Sequence, residues 1–328
     1  MKNVLTLENL TIGYNKIPIV KEIVASVTPG ELVCILGKNG AGKSTLINTI
    51  LGFHKPLSGQ IKVEGQVLLD LSLSAKAQKI AVVLPKLHQV PAIKVIDILA
   101  MGRMPYHSSL SKLASKDMDW INQVAEMVGI TELMQQYAHQ ISEGQLQLVM
   151  IARALCQDTP LIILDEPTSN LDLANRYKIF NLIRELIIKT RKSFLMITHE
   201  VDLALEYSDK IWWIENGNLT ADIPEQIAFE KEIFPKLSGN SLMYHQTQER
   251  FTSLRQFNKE IHVVGHSEFT YWVKQALIRN GYAISEKAKE FVEITENNII
   301  FEDSKFQSII ELLNYLSQHE KHNHHRSK

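Results

Sequence analysis

Gly37-Lys38-Asn39-Gly40-Ala41-Gly42-Lys43-Ser44-Thr45 lies between two apolar runs, Glu31-Leu32-Val33-Cys34-Ile35-Leu36 before it and Leu46-Ile47-Asn48-Thr49-Ile50-Leu51 after it. This order predicts a buried strand, a glycine-rich loop and the start of a helix, and the loop fits G-x-x-x-x-G-K-[ST]. Glycines allow backbone angles and a closeness of approach that side chains would block. Successive amides can then point inward at phosphate oxygens, with the positive end of the helix behind them. In such a loop Lys43 reaches the β- and γ-phosphates, and the Ser44 hydroxyl is placed to ligate Mg²⁺. An ordinary strand–turn–helix corner has no need for every one of these fixed positions. The stretch implies a nucleoside triphosphate site on an α/β fold.

The apolar strand downstream, Leu161-Ile162-Ile163-Leu164, ends in two adjacent carboxylates, Asp165 and Glu166. Carboxylates at the end of a buried strand are costly unless they are used. Beside a phosphate loop, Asp165 can hold Mg²⁺ and Glu166 can act as general base on an attacking water. Ser169-Asn170-Leu171-Asp172 follows. A further strand, Ser193–Ile197, leads to Thr198-His199-Glu200, where His199 is either a γ-phosphate contact or a polar strand end.

Between the loop and these carboxylates the pattern turns helical over residues 92–140, which predicts an inserted subdomain. Its clearest helix, Trp120–Val128, is closed by Gly129. Then comes Ile141-Ser142-Glu143-Gly144-Gln145. Ser142 with Gln145 reads as a capping box; equally, Ser142 and the Gly144 amide at a helix start can bind an anion. Upstream of the loop, residues 4–14 and Ile17–Val27 read as strands, and a hairpin turns at Glu64-Gly65. Tyr14, at a strand end, is either core or a platform for a flat base.

Composition sets the outer limits. The chain has 328 residues, 45% hydrophobic and 22% charged, with a formal net charge of −1. That length predicts a large core and two domains, and the near-neutral balance gives no electrostatic reason to expect nucleic acid. Cys34 and Cys156 sit in apolar surroundings and read as small buried hydrophobes, not as a disulfide or metal framework. The N-terminus does not read as a signal peptide, and no apolar run is long enough to span a bilayer.

Taken together, these elements in this order resemble the ATP-binding-cassette (ABC) ATPases. On that resemblance Gly37–Thr45 is the Walker A loop, Ile141–Gln145 the signature, Leu161–Glu166 Walker B, Ser169–Asp172 the D-loop and His199 the switch histidine. The family fold is a P-loop α/β core with an antiparallel β subdomain and an inserted helical subdomain. The resemblance implies ATP contacts from Tyr14, Gly37, Asn39, Gly40, Ala41, Gly42, Lys43, Ser44, Thr45, Ser142, Gly144, Gln145 and Asp172. It implies Mg²⁺ held by Ser44 and Asp165, with Glu166 and His199 catalytic. It further implies a head-to-tail homodimer, with each ATP between one Walker A and the partner's signature. The cassette would sit as a peripheral protein on the cytoplasmic face of the plasma membrane, bound to a permease and, through it, served by a substrate-binding protein.

Within the family, Met101-Gly102-Arg103-Met104-Pro105-Tyr106 is similar to the importers of iron–siderophore, haem and cobalamin complexes. Three positions depart from the pattern. Pro85 stands where the Q-loop glutamine is expected, with Gln89 nearby; Glu143 replaces the signature's first glycine; and Leu146 occupies a usually polar position. Domain limits are expected at 1–256 for the cassette and 257–318 for a small α+β domain, with a disordered, histidine-rich tail over 319–328 that carries His319, His322, His324 and His325.

Overall fold

The computed structural model describes residues 2–84, 92–107, 113–231, 242–245, 250–253, 259–265, 267–295, 298–302 and 304–326. Pro85 and Gln89 lie outside them. The chain divides into two compact units, Met1–Gly239 and Asn240–Lys328.

In the first unit, strands β1 (Leu5–Tyr14) and β2 (Ile17–Val27) precede β3 (Leu32–Gly37) and helix α1 (Lys43–Ile50). Next come β4 (Ser58–Val63), β5 (Gln66–Val67), α2 (Leu73–Ala77) and β6 (Ile80–Val83). The helical insert holds α3 (Val95–Met101) and α4 (Ser115–Val128), and leads to α5 (Glu143–Cys156). The unit continues through β7 (Leu161–Asp165), α6 (Leu173–Thr190), β8 (Ser193–Ile197), α7 (Val201–Tyr207), β9 (Lys210–Glu215), β10 (Asn218–Asp222) and α8 (Pro224–Lys231).

A six-stranded sheet in the order β10-β9-β3-β8-β7-β6 forms the centre; all its neighbours run parallel except β10, which closes one edge antiparallel to β9. Side chains alternate across a strand. Leu32, Cys34 and Leu36 of β3 therefore face one core with Ile162, Leu164, Phe194 and Met196, under α3, α4, α5 and α6. Val33 and Ile35 face the opposite core with Ile163, Leu195 and Trp212, against α1 and the β1/β2/β4 layer. Burial on both faces explains why these strands read as continuous apolar runs. The second layer is an antiparallel sheet, β2-β1-β4-β5. Gly129 closes α4 with φ 74°, the left-handed turn that a helix end favours. Cys34 and Cys156 are free and buried, and burial pushes both thiols up to about 12, so neither is a nucleophile at neutral pH.

The second unit holds the hairpin β11 (Leu242–His245) and β12 (Arg250–Ser253), then β13 (Lys259–Val264) and α9 (Glu268–Arg279). It ends with β14 (Tyr282–Ile284), β15 (Phe291–Ile294), β16 (Ile299–Phe301), β17 (Ser304–Phe306) and α10 (Ile309–Arg326). The sheet order is β14-β13-β15-β16-β17. Ile261, Val263, Val292, Ile299, Phe301 and Phe306 pack against Val273 and Leu277 of α9 and Leu312 and Leu316 of α10.

The compact units divide at Gly239, so the β11/β12 hairpin falls in the second unit, ahead of the small domain expected from 257. Residues 319–326 continue α10, in a run from Ile309 that no glycine or proline interrupts. Among the described residues no helix is long and apolar enough to cross a membrane.

Candidate nucleotide site

The β3–α1 corner is shaped by its glycines. Gly37 has φ 153°, and a Cβ there would lie 2.6 Å from the Ile214 carbonyl oxygen. Gly42, the N-cap of α1, has φ 107°, and a Cβ would meet the Ile19 side chain at 2.8 Å. No side chain caps α1, so its first-turn amides remain open as donors to an anion. Lys43 is buried, and its ammonium donates to the carbonyls of Gly37 at 2.7 Å and Lys38 at 3.2 Å. The lysine thus braces the loop from inside. Burial lowers its pKa, opposed by the charges of Glu166 and Asp165.

A cavity of about 190 Å³ opens on this corner, lined by Ile19, Asn39, Gly40, Gly42, Lys43, Ser44, Thr45, Glu166 and His199. Gly37 and Ala41 shape the loop beneath it; the Ala41 amide donates to the Lys38 carbonyl at 3.1 Å. Asp165 ends β7, and burial raises its pKa, reinforced by Glu166 and opposed by Lys43. Two carboxylates thus lie in the field of one ammonium, a charge balance that a divalent cation improves. Among the described residues no cluster of three or more His, Cys, Asp or Glu side chains could enclose a metal. A sparse set with one hydroxyl and one carboxylate suits Mg²⁺, which keeps several waters and takes phosphate oxygens.

Glu166 has φ 51°, a left-handed conformation that costs a non-glycine residue about 1–2 kcal/mol. Its neighbours hold it there. The Glu166 amide donates to the Ile197 carbonyl at 3.1 Å, and the Ser169 amide and hydroxyl donate to the Glu166 carbonyl at 3.1 and 3.0 Å. The carboxylate is thereby turned toward the phosphate loop, where Oε1 lies 2.9 Å from His199 Nε2. An ionised carboxylate only accepts, so that bond needs the proton on Nε2.

Tyr14 is half exposed. The Thr45 hydroxyl lies 3.4 Å from its Oη, and the His54 ring stands edge-on at 5.0 Å. Neither His54 nor Ile19 was singled out from sequence, because nothing in the local pattern marks them. The signature stands apart from the cavity. The Ser142 hydroxyl accepts from the Gln145 amide at 3.2 Å while the Gln145 side chain accepts from the Ser142 amide at 2.9 Å, so the capping-box reading holds. Glu143 and Ser169 help to line a different cavity of about 290 Å³. Asp172 caps α6, accepting from the Asn175 amide at 2.8 Å.

Comparison with known proteins agrees with this geometry. Residues 20–169 match the ABC transporter family model. An uncharacterized ABC transporter ATP-binding protein of Methanocaldococcus jannaschii is 35% identical over 234 residues, covering 71% of this chain and 80% of that protein. The chain belongs to the ABC transporter ATP-binding proteins. It is an ATPase of that family, and it binds ATP. Other ABC relatives include the petrobactin import ATP-binding protein FpuD of Bacillus anthracis, 32% identical over 70% of this chain and 85% of that one. The achromobactin transport ATP-binding protein CbrD of Dickeya dadantii is 33% identical over 65% and 79%. Among solved ABC structures, CbiO1 of Clostridium perfringens, part of the CbiONQ complex, aligns with TM-score 0.64 and 27% identity, covering 73% of this chain and 96% of that one. The ADP conformation of the cassette MJ1267 aligns with TM-score 0.65 and 25% identity, over 73% and 98%. Residues 258–317 match a second model, the iron ABC transporter C-terminal domain.

Proposed function

We propose that this chain is the ATP-hydrolysing subunit of an importer for an iron chelate, a siderophore or a similar complex. The observation that carries the reading is one chain joining an ABC cassette to the iron ABC transporter C-terminal domain over residues 258–317. The petrobactin and achromobactin names of its relatives support the same substrate class.

At the site, the loop amides and Lys43 take the phosphates, and Tyr14 stacks on the adenine. Ser44 and Asp165 would hold Mg²⁺, which would supply charge stabilisation to the transferring phosphate. Glu166 takes a proton from the attacking water as its oxygen bonds to the γ-phosphorus. The bond from that phosphorus to the bridging oxygen then breaks, leaving ADP and phosphate. His199 orients the carboxylate through the 2.9 Å bond. Ser142, Gly144 and Gln145 serve the nucleotide of a second copy, with Asp172 in the loop between them, so the working form is a homodimer. It sits peripherally on the cytoplasmic face of the membrane, bound to a permease that a substrate-binding protein loads.

Uptake tests this reading. Cells lacking the chain should lose accumulation of a radiolabelled ferric chelate, and the wild-type chain should restore it while Glu166→Gln should not. Unchanged uptake of every ferric siderophore tried, beside loss of another solute, would place the chain in a different importer.

A further inference from the structure

The Gly102–Tyr106 element has no part in the cavity, yet its Arg103 and Tyr106 side chains converge on one place, the C-terminal end of α5. Gly102 packs flush against it: a Cβ there would lie 2.4 Å from the Arg153 carbonyl oxygen and 2.8 Å from Cys156 Cβ. Arg103 Nη1 donates to the Cys156 carbonyl at 2.9 Å, and Tyr106 Oη donates to the Gln157 carbonyl at 2.9 Å. These carbonyls belong to the end of the helix that lacks intrahelical donors and carries partial negative charge, where a guanidinium is a favourable cap.

Arg103 is itself held. Its Nε donates to Asp117 Oδ1 at 2.9 Å, and its guanidinium lies 4.3 Å over the Tyr106 ring. Asp117, in the first turn of α4, is 1% exposed and accepts from the Ala114 amide at 3.0 Å. His107 Nε2 lies 2.9 Å from its other oxygen. Burial works against the Asp117 carboxylate, but the Arg103 bond, the Ala114 amide and the charges of Arg103 and His107 outweigh it and hold the pKa below the ordinary value. From the other side, Arg153 Nη2 donates to the Val82 carbonyl at 2.8 Å, and Gln157 Nε2 to those of Ala77 and Ile80 at 2.6 and 3.0 Å.

The opposite end of α5 is capped by Ser142 and Gln145 of its own first turn. A helix of this length is a rod of about 21 Å, so a tilt of about 3° at the clamped end moves the far end by about 1 Å. Displacements of that size at a reacting centre can cost about 10²-fold in rate. We propose that Arg103 is a positioning residue for the signature. Fixed by Asp117, it sets the C-terminal end of α5 and thereby the place of Ser142 at the other end. This rests on the reading that Ser142 serves the nucleotide of a second copy.

The test uses the full chain carrying Arg103→Lys, and separately the charge-neutral pair Arg103→Gln with Asp117→Asn, which avoids stranding a buried carboxylate. Both are assayed well below their unfolding temperatures, with Ser142→Arg in parallel. The expected result is an unchanged affinity of the monomer for a fluorescent ATP analogue, a kcat lower by up to about 10²-fold, and weaker ATP-dependent dimerisation in a Glu166→Gln background. Arg103→Lys should lie between wild type and the double variant. Wild-type kcat and dimerisation in both variants would overturn the proposal, as would an equal loss of monomer ATP affinity. If Ser142→Arg itself dimerises and turns over normally, the two-copy reading fails; if it is dead while the Arg103 variants are normal, only the clamp fails.

Discussion

The phosphate loop and the signature are both helix starts, yet one is furnished and the other is waiting. At α1 no side chain caps the first turn, Lys43 braces the loop from within, and Glu166 and His199 close over the cavity. At α5 the Ser142 hydroxyl accepts from the Gln145 amide and the Gln145 side chain accepts from the Ser142 amide, and no described residue of the loop cavity comes from the signature. A helix start left uncapped at a cavity is built for an anion within its own chain; one capped at the surface can serve a neighbour's. On the proposal that Ser142 serves a second copy, a single copy holds the binding site and lacks the donors that the partner would bring.

The sharpest way to break that contrast is Glu166→Gln. It should bind ATP normally and hydrolyse it about 10²–10⁴ times more slowly, the span for losing a general base. Near wild-type turnover by phosphate release would remove Glu166 from that role. A smaller effect is expected at the brace. Lys43→Ala should weaken ATP binding about 10- to 100-fold, since bonds to charged groups contribute about 1.5–3 kcal/mol. Calorimetry showing unchanged affinity would mean that the lysine only supports the loop. The finest test separates the two starts. At ATP concentrations too low to fill the Lys43→Ala site, Ser142→Arg and Lys43→Ala chains should each turn over slowly alone, and mixing them should recover a fraction of the wild-type rate, because the mixed pair has one complete site. Turnover per chain that does not depend on protein concentration would instead make the single copy self-sufficient.

How much of this was legible in sequence depended on whether the physics was local. The phosphate loop could be read because Gly37 and Gly42 are demanded by backbone angles, and those demands are written residue by residue. The Ser142–Gln145 cap was legible for the same reason. The Arg103–Asp117 bond was not, since Arg103 lies in the turn after α3 and Asp117 in the first turn of α4, and no spacing rule links them. Tyr14 remained open between core and platform because only its exposure and the nearby Thr45 and His54 distinguish the two. In the second unit β17, only Ser304–Phe306, shows as a strand through its pairing with β16. The histidines near the C-terminus suggested a solvated tail, but a polar run without glycine or proline can also prolong a helix, as α10 does.

Lys43 also bears on time. Its ammonium rests on the Gly37 and Lys38 carbonyls, so the lysine itself fixes the curl of the loop. A phosphate chain that takes the lysine exchanges partners with those carbonyls. If that exchange is quick, the slow interval of each cycle belongs to the meeting and parting of two chains. A permease that draws those chains together or holds them apart would govern the tempo of transport without touching the chemistry.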